Sequence, residues 1–214
     1  MIEIEERETE RYLGVRGAEV NDEVLSCIRE VSKELQNISR PRWTGTSLPL
    51  SFEEGFPVID GAVRRSKALA KNLRGCEEVI LFAATIGPGC DRLIQRYEAV
   101  SVTKAAIAQA AGAAMIEAYV NGIHADLKKD AELRGLYARP RFSPGYGDLP
   151  LEMQKDFSRI LDMPKTIGVR LCESLLMVPS KSVTALIGLS PVRTDCSESG
   201  CEDCERRNTC EYGR

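Results

Sequence analysis

Apolar positions along this chain switch between helical and extended spacing. Val24, Cys27, Ile28, Val31 and Leu35 recur at three- and four-residue steps, which predicts a helix to about residue 37 with Asp22 as its cap. Residues 38–60 carry Pro41, Pro49 and Pro57 with Gly45 and Gly55, and read as a long irregular connection with room for short strands. Residues 66–73 read as helical, with Gly75 as the stop. The continuous apolar run at 78–84 predicts a buried strand, and Thr85-Ile86-Gly87-Pro88-Gly89 turns from it into a helix starting near Asp91. A small-residue stretch, Ala105 to Ala114 with Gly112, predicts a central helix from about 101 to 129 that allows close backbone packing. Further on, Asp148 is expected to cap a helix with Pro150 in its first turn. Met153, Phe157, Ile160 and Leu161 form its stripe, and Pro164 stops it. Residues 167–178 and 182–189 read as extended. Strands separated by helices, with hairpin-like neighbours late in the chain, predict an α+β fold.

Composition narrows the function classes. The 214 residues are 43% hydrophobic and 29% charged, ordinary for a globular protein. Twenty-nine basic and 32 acidic residues leave a net charge of −3, which gives no sign of nucleic-acid or membrane-surface partners. The N-terminal Met-Ile-Glu-Ile-Glu-Glu-Arg does not read as a signal peptide, and the uncharged run at 105–116 is too short to span a bilayer. A cytoplasmic protein without a membrane partner is expected.

The candidate chemistry concentrates at residues 141–150. Pro144-Gly145 suits a type II turn, where proline fixes one φ and glycine supplies the positive one. Glycine there leaves the backbone open to a ligand. Arg141 offers a forked cation that matches a carboxylate, and Tyr146 an aromatic face with a hydroxyl. The set suits an amino-acid-bearing nucleotide; a well-made loop before a helix is the plainer alternative. Glu117 ends the uncharged run of the long helix, either at the rim of the core or pointing into a cleft. His124, the single histidine, lies two turns further on the same face.

Arg141-x-x-Pro144-Gly145-Tyr146 resembles the signature of the activation domain of cobalamin-dependent methionine synthase. Glu117-Ala118 with His124, and Glu173-Ser174 with Met177, Pro179, Ser182 and Val183, resemble further motifs of that family in order and spacing. The wording of 141–150 and 179–188 is similar to free-standing members not fused to a synthase. The resemblance implies a twisted antiparallel sheet flanked by helices. It implies S-adenosylmethionine as ligand, bound by Arg141, Pro144, Gly145 and Tyr146, with Arg141 on the methionyl carboxylate, the Gly145-Tyr146 backbone along the adenosyl part, and Glu117 near the ligand. An aromatic pair of the family falls here on Ile187-Gly188, so only backbone contacts carry over to these two. An acidic contact just before Arg141 does not carry over, because 137–140 read Tyr-Ala-Arg-Pro.

The family's task, as the resemblance implies it, is repair. Cobalamin oxidised to the cob(II) state is reduced by one electron and trapped by methylation. The chain has no Asp-x-His-x-x-Gly motif, so cobalamin is expected on a partner: a corrinoid protein, or a methionine synthase lacking its own activation domain. An electron donor such as flavodoxin or ferredoxin is implied. Holding the methyl donor in line is positioning work, so no catalytic acid or base is assigned.

Four of the eight cysteines, Cys196, Cys201, Cys204 and Cys210, crowd the tail. They divide the chain into an expected activation domain, 1–192, and a metal-binding tail, 193–214. Without signs of secretion a metal is favoured over two disulfides: an iron–sulfur cluster or zinc. Cys27, Cys76, Cys90 and Cys172 read as small core residues or inert thiols, with a helix start at Cys90 as a hint of a lowered pKa. Two other functions stay open. One is a module that senses S-adenosylmethionine without turnover; the other is an iron–sulfur or zinc interaction protein whose groove is vestigial.

Overall fold

The computed structural model describes residues 2–15 and 21–193. Its centre is the pair of strands β5 (Glu78–Thr85) and β9 (Ser182–Ser190), both buried along almost their whole lengths. They pair antiparallel over their whole lengths, from Glu78↔Leu189 to Thr85↔Ser182. β1 (Arg42–Pro49) pairs antiparallel with β5 on the other side, and the short β6 (Tyr137–Ala138) closes the order β1-β5-β9-β6.

Alternation along β5 and β9 sends side chains to two separate cores. Ile80, Phe82, Ala84, Ala185, Ile187 and Leu189 face one helical layer. That layer is built from α2 (Asp22–Ile38), α4 (Gly89–Glu98) and α5 (Val102–Leu133), with α1 (Glu6–Leu13) against α5. Val79, Leu81, Ala83 and Leu186 face the other side. There lie α3 (Lys67–Asn72), α6 (Gln154–Ile160), α7 (Met163–Thr166) and a small sheet of β2 (Ser51–Glu53), β3 (Phe56–Ile59) and β4 (Ala62–Val63). A sheet covered by helices on both faces is the expected α+β architecture. It also explains why β5 and β9 are apolar on both sides.

α5 runs 32 residues, about 48 Å at helical rise. Its alanines allow close packing, and at Gly112 closeness is required: a Cβ there would lie 2.5 Å from Cys90 Sγ on α4. Cys90 is thereby fully buried, and burial pushes its thiol up to about 12, which overturns the lowered pKa expected from its helix start.

Three expectations about local structure are corrected. The cap of α2 is Asn21, whose Oδ1 accepts from the Val24 amide at 2.8 Å, one residue before Asp22. The stretch 38–60 is not an irregular connection. It forms the eight-residue β1 and the β2–β3 hairpin, which turns on Glu54 and Gly55, both at positive φ. β1 is an edge strand, half exposed and polar, and so carries no apolar run. Its Gly45 is needed because a Cβ would crowd the Leu81 carbonyl and Phe82 Cβ at 3.2 Å. Within 167–178, only a short hairpin of β7 (Arg170–Leu171) and β8 (Met177–Val178) is extended, and Met163–Thr166 is a short helix with Pro164 inside it.

Candidate functional site

Residues 139–149 run along the free edge of β9 and are pinned there by backbone bonds. The Arg139 amide donates to the Gly188 carbonyl at 2.8 Å. Phe142 and Leu186 exchange both bonds of an antiparallel bridge, at 2.9 and 2.8 Å. Phe142, Pro144 and Leu149 are buried, while Gly145 and Tyr146 stay exposed. The segment is thus anchored on one side and open on the other.

Between the anchors lies the expected turn. Gly145 has φ +84°, and the Tyr146 amide donates to the Ser143 carbonyl at 3.1 Å, which is the type II pattern with Pro144 at its second position. Tyr146 is 65% exposed, and its ring meets the edge of Phe142 at 5.5 Å and 86°.

Arg141 leaves the segment toward α5. Its Nη2 donates to Asn121 Oδ1 at 2.8 Å and lies 3.4 Å from Glu117 Oε2. Glu117 and Asn121 are one turn apart on the same helix face, as an i,i+4 pair must be. Asn121 was not singled out from the sequence; its four-residue offset from Glu117 is the signal that would have found it. Nε and Nη1 of Arg141 have no partner among the described residues, so the guanidinium keeps donors free for an acceptor beside those spent at Nη2.

Glu117 and Asn121 also line a groove of about 630 Å³. Trp43 of β1 and residues Glu3, Glu5 and Glu8 form other parts of its wall, the Glu8 carboxylate being paired with Arg11. A wall rich in carboxylates favours a ligand that carries positive charge. Trp43 is 45% exposed and was missed because it sits in the stretch read as irregular. His124 is half-buried on α5 and does not line this groove.

Ile187 and Gly188 are not brought to this surface. Ile187 is fully buried opposite Ile80, and the Gly188 carbonyl is occupied by the Arg139 amide. A Cβ at Gly188 would fall 2.6 Å from Leu73 Cδ2 and 2.7 Å from Cys76 Sγ, so the position serves packing under the segment. Their place in a central strand, paired on both edges, is the physical reason. Asp148 is corrected as well. Instead of starting the helix after it, its carboxylate caps α3, accepting from Ser66 Oγ at 2.5 Å and from the amides of Lys67 and Ala68 at 2.7 and 3.1 Å. Those donors, the Ser66 hydroxyl first, hold it below the usual aspartate range. Gly147, at φ +58°, lets the segment touch α3; a Cβ there would stand 3.0 Å from Ala68 Cβ.

Cys196, Cys201, Cys204 and Cys210 lie outside the described residues. Among the described residues no group of three or more His, Cys, Asp or Glu side chains is placed to hold a metal ion, and no helix is long and apolar enough to cross a membrane.

No curated protein matches the chain in sequence. In structure it is similar to the MetH reactivation domain, solved bound to AdoHcy, at a TM-score of 0.62 and 16% identity. The match covers 80% of this chain and 66% of that one, so the chain spans just under two thirds of that relative's length. The family model described as "Vitamin B12 dependent methionine synthase, activation domain" matches residues 68–195, which hold α3, the central strands, α5 and the whole segment around Arg141. With more than half of its length matched, the chain belongs to the family of activation domains of vitamin B12 dependent methionine synthase.

Proposed function

We propose that this protein reactivates a cobalamin-dependent methionine synthase, or a related corrinoid methyltransferase, by holding S-adenosylmethionine as methyl donor to cobalamin carried by a separate partner. The observation that carries this reading is the Arg141 guanidinium, held at Nη2 by Asn121 and Glu117 beside the Pro144-Gly145 turn with donors on Nε and Nη1 unspent.

Each residue has a part in that reading. Arg141 takes the methionyl carboxylate on its unspent donors. Pro144 and Gly145 offer a turn whose backbone a nucleoside can approach, and the exposed Tyr146 offers its ring to the adenosyl part. Glu117, with the other carboxylates of the groove, favours the ammonium and sulfonium charges of the ligand. Ile187 and Gly188 act indirectly, by carrying the segment on β9. The structure solved with AdoHcy in a related fold supports the ligand class, since AdoHcy is what S-adenosylmethionine becomes when its methyl leaves.

The chemistry asked of the partner's cobalamin balances simply. One electron from a donor such as flavodoxin or ferredoxin converts cob(II)alamin to cob(I)alamin. Its cobalt electron pair then forms the bond to the methyl carbon, the carbon–sulfur bond breaks, and that pair stays on sulfur. The chain's own work is to fix the sulfonium in line for this displacement.

The tail is read as a second functional unit, 193–214, in which Cys196, Cys201, Cys204 and Cys210 close a thiolate shell around an iron–sulfur cluster or zinc. A cluster would set an electron carrier on the polypeptide that holds the methyl donor. Zinc would be structural. Reduced thiols of this kind fit a cytoplasmic setting.

The test is methylcobalamin formation on the cognate corrinoid protein, followed by its absorbance bands with S-adenosylmethionine and a low-potential reductant. The rate is expected to depend on this protein and to fall in Arg141→Ala. Binding of the nucleotide without any change in methylation rate would instead mark a sensing module.

A further inference from the structure

Trp43, the one tryptophan of the chain, lines the acidic groove from the edge strand β1 and is left 45% exposed. Its setting is specific. Two residues on, along the same face of β1, Gly45 has no side chain, and a Cβ there would stand 3.2 Å from Trp43 Cζ3. The ring therefore lies back over the glycine and lines the groove from there. Among the described residues no lysine or arginine lies over it, whereas Tyr12, Phe56 and Tyr97 each carry such a cation.

Around the ring the groove offers negative charge. Glu3 and Glu5 have no ion-pair partner among the described residues, and Asp126 stands 3.8 Å from Lys129. Half-buried Tyr119 adds a second ring, its phenol pushed up by burial and so neutral. Glu117 belongs both to this groove and to the Arg141 clamp, so the two surfaces adjoin on α5. A ring face without a cation, beside carboxylates, suits a soft positive centre: the ring attracts it through its quadrupole and the carboxylates through their charge.

We propose that Trp43 sets the preference for the charged methyl donor, its ring face taking the sulfonium of S-adenosylmethionine and not the neutral thioether left when the methyl has gone. This rests on the reading of Arg141 as the carboxylate clamp. A sulfonium lies about 5 Å from its own carboxyl carbon along the methionyl arm, so a carboxylate held at Arg141 leaves the sulfur beside Glu117, where the groove begins. Before transfer, ring and carboxylates attract a full positive charge. Afterwards the sulfur has kept the electron pair of the broken carbon–sulfur bond and is neutral, so that attraction is gone. One contact thus favours donor over product and helps to empty the site.

Calorimetry on the full chain with S-adenosylmethionine and with AdoHcy tests this in wild type, Trp43→Phe and Trp43→Ala. Trp43→Ala should weaken the sulfonium ligand about 2- to 30-fold and AdoHcy far less, and Trp43→Phe should recover part of the loss. The single tryptophan gives a second reading in the unmodified protein: its fluorescence, excited outside the adenine band, should respond more to S-adenosylmethionine than to AdoHcy at equal saturation. An equal loss for both ligands in Trp43→Ala overturns the proposal. So does a tryptophan emission that responds no differently to the two, which holds even where the variant fails to fold. If Arg141→Ala weakens S-adenosylmethionine while the Trp43 readings stay flat, the reactivation reading stands and this one falls. If the wild type does not bind S-adenosylmethionine at all, both fall.

Discussion

Replacing Arg141 with alanine should separate ligand binding from stability. Without ligand, Nη2 donates to Asn121 Oδ1 at 2.8 Å and faces Glu117 Oε2 at 3.4 Å. The ion pair is partly solvated, with side-chain exposures of 23% and 40%, so its own contribution is ~0.2–1 kcal/mol. The hydrogen bond to the neutral amide adds ~0.5–1.5 kcal/mol. Since Asn121 is exposed and Glu117 is not fully buried, water can replace what the guanidinium supplied, and the fold should lose at most ~2 kcal/mol. Against a ligand carboxylate, the unspent donors would supply charge-assisted bonding of ~1.5–3 kcal/mol. That is a rise of about 10- to 150-fold in Kd. Calorimetry with S-adenosylmethionine should show this rise in Arg141→Ala, while thermal unfolding shifts by only a few degrees, at about 2–4 °C per kcal/mol for a chain of this size. Arg141→Lys, which keeps the charge and loses the fork, should fall between the two. Equal affinity in wild type and Arg141→Ala would refute the assignment. So would a loss of binding matched by an equal loss of folding stability, which would make Arg141 a structural strut.

Four further outcomes follow from the geometry. Gly147→Ala forces a side chain into positive φ at 3.0 Å from Ala68 Cβ, so it should destabilise by ~1–3 kcal/mol and weaken nucleotide binding together, as read by chemical denaturation and calorimetry. The Asp148 carboxyl is held below its ordinary value of about 3.9, so its contribution is complete above that pH and is lost as pH falls through the lower folded value. The stability difference between wild type and Asp148→Asn should therefore be flat above pH ~4 and shrink below it; a difference that persists into strong acid contradicts the cap. Among the four described cysteines, exposed Cys172, lowered by the Ser174 hydroxyl, should alkylate first and buried Cys90 last, by mass-spectrometric time course. Anaerobically purified protein should contain iron and sulfide that Cys201→Ser or Cys204→Ser removes without loss of nucleotide binding; stoichiometric zinc without iron would leave the tail a structural role.

What the sequence made legible follows physical lines. β5 and β9 were visible because burial on both faces forces an unbroken apolar run. The long α5 was visible because close packing against α4 demands small residues. β1 escaped because an edge strand buries little, and its glycine serves a close approach that only the partner strand reveals. In the site, Arg141 and the Pro144-Gly145 turn were readable because a turn is local chemistry. Asn121 and Trp43 were not, since their relevance depends on which elements meet across the fold. Asp148 was misread for the same reason: its sequence neighbours offer a helix to cap, and the structure offers α3, which is 80 residues away. Ile187 and Gly188 were placed by family spacing alone, and spacing is blind to burial.

The sheet order has a consequence for biosynthesis. Among the described strands β9 leaves the ribosome last, yet it sits between β5 and β6 and supplies both backbone anchors of residues 139–142. Until residue 190 has emerged, β5 has β1 alone as partner, and the Arg141 segment has no rail to lie on. The most non-local pairing of the fold is therefore also the step that assembles the ligand surface. A nascent chain stalled before β9 should hold its helices and the β1–β5 pair, yet be unable to retain nucleotide. If the chain holds the methyl donor as proposed, capture must wait until residue 190 has emerged and the sheet has closed.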